Sequence, residues 1–428
     1  MIADQQQTWE HLEQQMQQEL RELWESLGQM ESGEALEEAV QAWQRRAGKQ
    51  VMVALCQEAI GRRERAERPV CCGKKMDHHS RTWRTVKTLL GDVRMRRRWY
   101  RCLQCGTNRY PADAWLGWKG GFSHRFEEVV AWQSSLLPYR EAVASIEKLA
   151  GLAVSVCAAE RIVARWGAQK LALAGYSQRV DKDLVIQIDG TTTHLEEGWK
   201  EIKVGAFYSC DCDDPQAKPE AISYIGDWRS ADQFRELLDN EALVRGASTA
   251  RWQAVVGDGA PWIWETASWL FPQAVQILDW YHLSEHLWAA AKAVHGEGTP
   301  QTARLAERWK TEVWEGRSEG VEEDMRVLVS QGRDDRNQTV RKCADYLRTH
   351  QHRIRYPLFR AMGWPVASGV VEGACKHVIG LRFKRQSTRW TRAGARAVLH
   401  LRLDRLNGRW DRRCKLTRQS HPDLRKAA

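Results

Sequence analysis

Residues Arg251–His286, RWQAVVGDGAPWIWETASWLFPQAVQILDWYHLSEH, decide how the rest of the chain is read. Ala254–Val256 is a short apolar run, Gly257 and Gly259 flank Asp258 in a tight turn, and Pro261 suits the first position of a helix. A second apolar run, Val275–Leu278, delivers Asp279, and His282, Glu285 and His286 follow at spacings that put them on adjoining faces of the next helix. The pattern is strand, turn, helix, strand, helix. It leaves Asp258 and Asp279 at the C-terminal ends of two strands, where ligands and chemistry collect in parallel or mixed α/β sheets. The plainer reading of the same two residues is a turn aspartate and a helix cap.

A third apolar run ends the same way. Leu184–Ile188, LVIQI, reads as a buried strand, and Asp189-Gly190 closes it as Asp258-Gly259 closes the later one. Glu372 lies in ASGVVEGACKHVIGLRFKR, where Val370, Val371, Ala374, Val378 and Leu381 form an apolar helical stripe. Three acids brought together repel one another unless a cation neutralises them, and hard oxygen ligands with open water positions suit magnesium or manganese. Such a constellation belongs to metal-assisted attack on a phosphodiester.

The composition agrees with that partner. Lys and Arg number 65 against 55 acids, a net charge of +10, which favours a polyanion such as double-stranded DNA over an acidic protein. At 428 residues, two or three domains are expected. No apolar run reaches the roughly 18 residues of a membrane span, and the N-terminus is rich in Gln and Glu, so neither a membrane segment nor a signal peptide is expected. The 11 cysteines, an odd number, point to metal ligation or burial in a reducing cytoplasm rather than to a disulfide framework.

Taken in order, residues 1–66 read as a helical arm, with Leu12, Met16, Leu20, Leu23 and then Leu36, Val40, Trp43, Val51 at helical spacing. Residues 67–118 change character. RPVCCGKKM carries Cys71 and Cys72, YRCLQCG carries Cys102 and Cys105, and Gly91-Asp92 is the expected hairpin turn between two alternating basic and apolar runs. That is the layout of a zinc ribbon whose first CxxC has collapsed to adjacent cysteines, leaving His78 or His79 as further candidates for the fourth ligand and reduced structural cysteines without metal as the alternative. Between Arg81 and Arg101 there are eight basic residues and one acid, with Arg94, Arg96, Arg97 and Arg98 forming a cationic ribbon fit for a phosphate backbone. Residues 119–178 read as a helix-turn-helix-like domain: helices over Glu141–Ala150 and Cys157–Trp166, an N-cap at Ser155, and Arg161 and Arg165 directed to a DNA groove.

An α/β pattern begins near residue 181 with strands 184–188, 201–208 and 221–225, then a helix over Ala231–Val244. The catalytic core is expected over 179–296, a helical insertion over 297–360, the final core helix over 361–410 and a basic tail over 411–428. Lys376, Arg382, Lys384 and Arg385 place cations beside Glu372, suited to hold a nucleic-acid backbone.

QIDGTTTHLEEGWKEIKVG, GDGAPWIW, FPQAVQILDWYHLSEHLW and SGVVEGACKHVIGLRFKRQSTRW resemble the blocks of bacterial insertion-sequence transposases of the ISKra type, over most of residues 65–410. The resemblance implies an RNase H-like fold with a DDE catalytic domain, in which Asp189, Asp258 and Glu372 match the acidic triad. It also implies terminal inverted repeats and target DNA as partners, and a homo-oligomer on DNA. Asp279 and His282 resemble the C/D-x-x-H signature of Mutator-like transposases, with a supporting role. Two other expectations compete. His282, Glu285 and His286 match H-x-x-E-H, an inverted zinc-peptidase motif, and a DNA-binding regulator without catalysis would need only the ribbon and helices.

Overall fold

Six consecutive buried positions, Asp183–Ile188, open the strand on which the larger sheet is built. A run buried on both faces belongs in the middle of a covered sheet. The structure is a computed structural model and describes residues 2–66, 68–118, 120–169, 171, 182–214, 218–331, 336–386 and 388–419. The sequence-based basic tail therefore lies outside the described residues from 420 on, and the expected helix-turn-helix-like domain does so at 119, at 170 and over 172–178. The chain divides into two compact units, one comprising residues 1–169 with 411–428, the other residues 170–410.

The first unit begins with α1 (Ile2–Glu25) and α2 (Gly33–Ala66). Two short strands, β1 (Val70–Cys71) and β2 (Lys74–Lys75), precede the long β3 (Asp77–Thr88) and β4 (Gly91–Arg101), which pair antiparallel with β5 (Asn108–Arg109) on the β4 edge. Helices α3 (Pro111–Leu116), α4 (His124–Leu136), α5 (Tyr139–Ala150) and α6 (Val156–Ala168) follow. The link between α5 and α6 runs from Gly151, at φ +65°, to Ser155, whose hydroxyl accepts from the Ala158 N–H at 3.2 Å. The β3–β4 turn is Leu89-Leu90, two residues before the expected Gly91-Asp92, because Thr88 already pairs with Gly91 and Lys87 with Asp92. One edge of Leu90 lies against Gly48 of α2, while the rest of the side chain stays exposed.

The second unit has three strands before its first helix: β6 (Asp183–Leu195), β7 (Gly198–Cys210), β8 (Glu220–Asp227) and α7 (Ala231–Val244). It continues with β9 (Gln253–Gly257), α8 (Pro261–Leu270), β10 (Val275–Leu278) and α9 (Trp280–His295). Then come α10 (Pro300–Trp314), α11 (Ser318–Gln331), α12 (Arg336–Thr349), α13 (Tyr356–Ala361), α14 (Gly369–Ala374), a π-helical turn over Cys375–Gly380, α15 (Leu381–Phe383) and α16 (Arg392–Leu406). The last helix, α17 (Trp410–Gln419), groups with the first unit from Asp411 on.

The five-stranded sheet has the order β10-β9-β6-β7-β8, parallel across β10, β9 and β6 and antiparallel from β6 to β8, so the fold is mixed α and β around a mixed sheet. β6 extends beyond the strand read from sequence. Its parallel neighbour β9 stops opposite Ile188, but its antiparallel neighbour β7 carries the pairing on to Leu195 and Gly198. Thr191–Thr193, β-branched and well suited to a pleated ribbon, fill the extension. No helix among the described residues is long and apolar enough to cross a membrane.

Gly205 of β7 leaves room for the cover of the sheet, since a Cβ there would come within 2.9 Å of Ile225 and 3.2 Å of Leu238. Gly205→Ala is expected to destabilise the protein by about 1–3 kcal/mol through overpacking. The urea midpoint followed by tryptophan fluorescence checks this; an unchanged midpoint would show that the α7 interface can yield.

Candidate functional site

Strand register brings three aspartates into one row. Ile188 of β6 pairs with Gly257 of β9, and Gly257 pairs with Leu278 of β10. The next residues along the three strands are Asp189, Asp258 and Asp279. The Asp279 N–H donates to the Gly257 carbonyl at 2.8 Å, continuing the ladder by one rung.

Within the row the three carboxylates do different things. Asp279 is buried and fully engaged: Oδ1 accepts from the His282 N–H at 2.7 Å, capping α9, and Oδ2 accepts from the Ser368 N–H at 2.6 Å. It clamps the start of α9 to the segment that leads into α14, so the helix-cap reading holds and a second contact is added. Asp258 is partly exposed, and its Oδ1 accepts from the Ala260 N–H at 2.8 Å. Asp189 accepts from its neighbour Gly190 N–H at 2.7 Å and from the Cys375 thiol at 3.3 Å. Burial raises the Asp189 pKa above the usual carboxylate range, and the negative charges of Asp258 and Glu372 push it the same way, against the two hydrogen bonds.

Glu372 reaches this neighbourhood through a buried amide. Gln187 of β6 donates to Tyr208 Oη at 2.9 Å and to the Ala367 carbonyl at 3.0 Å, and accepts from the Val371 N–H at 3.0 Å. All three bonds are buried or nearly so, and together they fix α14 against the strand that carries Asp189. The Glu372 carboxylate accepts from the Ser368 hydroxyl at 3.0 Å and lies 3.7 Å from Lys376 Nζ. Cys375, which sequence reasoning missed, opens the π-helical turn that follows; such turns recur at functional sites. No local motif marks it, because its partner Asp189 is 186 residues away.

Beside the row, His282 and His286 lie on one face of α9 with Nε2 atoms 3.3 Å apart. Burial lowers the His286 pKa, with His282 adding to the effect, so its imidazole is neutral at pH 7. Glu285 is exposed, and among the described residues no third ligand is grouped with the two histidines.

The cysteines come together. Sγ atoms of Cys71, Cys72, Cys102 and Cys105 lie within 4.8 Å of one another, and these four residues are the ligand group found among the described residues. Cys72 and Gly73, at φ +50° and +74°, form the two-residue turn between β1 and β2, and this left-handed turn lets adjacent cysteines face one centre. On the other side the Gly106 N–H donates to the Cys102 carbonyl at 2.9 Å, with Gly106 at φ +72°. His78 and His79 are occupied elsewhere, against the rings of Tyr100 and Trp99. Hydrogen bonds to Thr107 lower the Cys105 thiol to about 6, so it is largely thiolate at neutral pH, the form that binds metal.

The basic residues divide. Arg94 and Arg96 are exposed, with Arg94 4.6 Å over the exposed Trp83 ring. Arg97 turns inward to Asp113, and Arg98 lies 3.4 Å from the buried Glu64. Arg161 is exposed on α6, whereas Arg165 pairs with Glu127. Lys376, Lys384 and Arg385 are exposed, and Lys384 donates to Thr191 Oγ1 at 2.5 Å. Arg382 is 1% exposed and stacks 4.6 Å from Trp390, so it is a packing residue rather than a surface cation.

Comparison with known proteins bears on the second half of the chain. Residues 227–420 match the uncharacterised protein family UPF0236. The match includes Asp258, Asp279, His282 and Glu372 but begins after Asp189. UPF0236 protein TTE0402 of Caldanaerobacter subterraneus subsp. tengcongensis is 26% identical over 155 residues, which is 36% of this chain and 29% of that protein. UPF0236 protein TTE2489 of the same organism is 26% identical over the same length, 31% of its own chain. A third relative, 25% identical over 155 residues and 31% of its own length, is named with eleven locus designations from that organism. The aligned stretch thus spans less than a third of each of these relatives.

The cysteine geometry generates a direct test. The purified chain is expected to carry about one zinc, released by Cys72→Ser as readily as by Cys102→Ser or Cys105→Ser. Metal analysis of protein prepared without chelators checks it, and retention of zinc in the Cys72→Ser protein would return the fourth position to a histidine.

Proposed function

We propose that this protein is a DDE transposase with an RNase H-like catalytic domain, of the ISKra type, which binds the ends of an insertion sequence and carries out metal-dependent DNA cleavage and strand transfer. The observation that carries the reading is the nearness of Asp189, Asp258 and Glu372, whose last two charges act on the first: one lies on β6, one at the end of the neighbouring β9 in shared register, and the third on a helix stitched to β6 by Gln187, without their oxygens closing to the spacing of the cysteine group. The order of three strands, helix, strand, helix, strand agrees with an RNase H-like sheet. The eleven locus designations under one relative's name fit a gene multiplied within a genome, as mobile elements are.

The charges of Asp258 and Glu372 disfavour that of Asp189, and the oxygens of the three acids suit a cation that would relieve this. Magnesium or manganese held by Asp189, Asp258 and Glu372 would supply charge neutralisation and water activation at the scissile phosphate. The chain's own residues do the rest. Gln187 and Asp279 fix the helix and strand that carry the acids. His282 borders the site from α9 in a supporting role. Lys376, Lys384 and Arg385 offer cations to the flanking phosphates, and Arg94, Arg96 and Arg161 offer them to double-stranded DNA, the inverted repeats of the element and its target. In cleavage, water attacks phosphorus and the bond to the leaving sugar oxygen breaks. In strand transfer, the freed hydroxyl attacks a target phosphodiester and expels another sugar oxygen. Zinc in the four-cysteine group would staple the ribbon that presents the exposed arginines. A homo-oligomer on DNA fits an enzyme that must handle two ends.

Asp189→Asn, Asp258→Asn and Glu372→Gln are each expected to abolish cutting of element ends while leaving DNA binding nearly intact. His282→Ala should slow cutting severalfold to about a few hundredfold with little change in the magnesium midpoint. Gel mapping of cleaved ends with magnesium, beside a binding assay, decides both. Undiminished cleavage by the Asp189→Asn protein would end the DDE reading.

A further inference from the structure

Tyr346 of α12 reaches the acidic row from the helical segment that follows α9. Its ring stacks on His286 at 4.3 Å and lies 4.6 Å from His350, so α9 and α12 meet through a ladder of rings that begins at His282. Its edge seats on Gly259, immediately after Asp258. Only a glycine leaves room there, since a Cβ would overlap both the Tyr346 ring and its hydroxyl. The hydroxyl oxygen is buried and has no hydrogen-bond partner among the described residues.

An unpaired buried hydroxyl costs stability, and phenylalanine would fill the same space without that cost. The hydroxyl is therefore the part of the side chain that packing does not explain. Asp258 stands next to it with Oδ1 engaged by Ala260 and with Oδ2 lacking a hydrogen-bond partner among the described residues. A carboxylate only accepts, so toward these acids the Tyr346 hydroxyl can act as donor alone. The rings beside it carry no competing charge: burial and the nearby Arg353 push His350 down to about 4, and His286 is also lowered.

We infer that Tyr346 is a positioning residue for Asp258, donating a hydrogen bond to that carboxylate when it turns to hold a divalent cation. The inference rests on the metal-binding part of the proposed function. It makes the helical segment a working part of the acidic site rather than a decoration of the fold. Outer partners of ligating carboxylates typically govern metal affinity by about 10–100-fold.

The test uses the full chain with its thiols saturated with zinc beforehand, and titrates manganese by electron paramagnetic resonance. Tyr346→Phe is expected to weaken manganese binding about 10–100-fold while thermal stability stays the same or rises, a combination that a purely structural tyrosine would not give. Gly259→Ala, which displaces the ring, should weaken manganese binding as well. Wild-type affinity in the Tyr346→Phe protein overturns the inference. If the wild type binds manganese and Asp258→Asn does not, yet no DNA is cut, the transposase reading falls while the manganese affinities still decide the role of Tyr346. A wild type that binds no manganese overturns both.

Discussion

The shared register of Ile188, Gly257 and Leu278 is the constraint on which the acidic site depends. In a parallel sheet a slip of one residue turns every side chain to the opposite face, and here it would separate Asp189 from Asp258. The slip is resisted by burial on both sides of β6 and by the apolar residues of β9, which have no solvent face to move to. The hydrophobic effect thus sets a spacing between charges that would otherwise move apart.

Polar bonds then carry that precision from the sheet to the helices. Gln187 is a lone amide in an apolar strand, and its three bonds satisfy it while fastening α14 to β6. Asp279 does the same for α9, using both oxygens on backbone N–H groups. Neither residue needs to touch a substrate. Each converts burial, which is directionless, into a defined placement of a neighbouring acid.

Much of this could be read from residues alone wherever the signal was local. The apolar runs delivering Asp258 and Asp279 at strand ends, the proline that starts α8, the Ser155 cap and the paired cysteines all appear at the expected places, whereas Asp189, expected to close its strand, lies inside β6. What escaped depends on contacts between distant residues. The Thr-rich extension of β6 exists because β7 continues beside it, and the Leu89-Leu90 turn follows from the β3–β4 register rather than from the Gly-Asp pair. Gln187 finds its partners 180 and 184 residues away. The inward turns of Arg97 and Arg382 follow from Asp113 and Trp390, neither of which periodicity could pair with them.

The π-helical turn after Glu372 has one more consequence. A wider turn uses an additional residue to advance the same rise, so every side chain beyond it is rotated relative to a regular helix. Here the offset sets where Arg382 falls relative to Glu372, inside against an indole, while Lys384 and Arg385 follow exposed beyond the end of α15. The spacing in sequence between the acid and the exposed basic pair is thus not interchangeable with an α-helical one. A single-residue insertion or deletion in this stretch would rephase the cations without altering the composition.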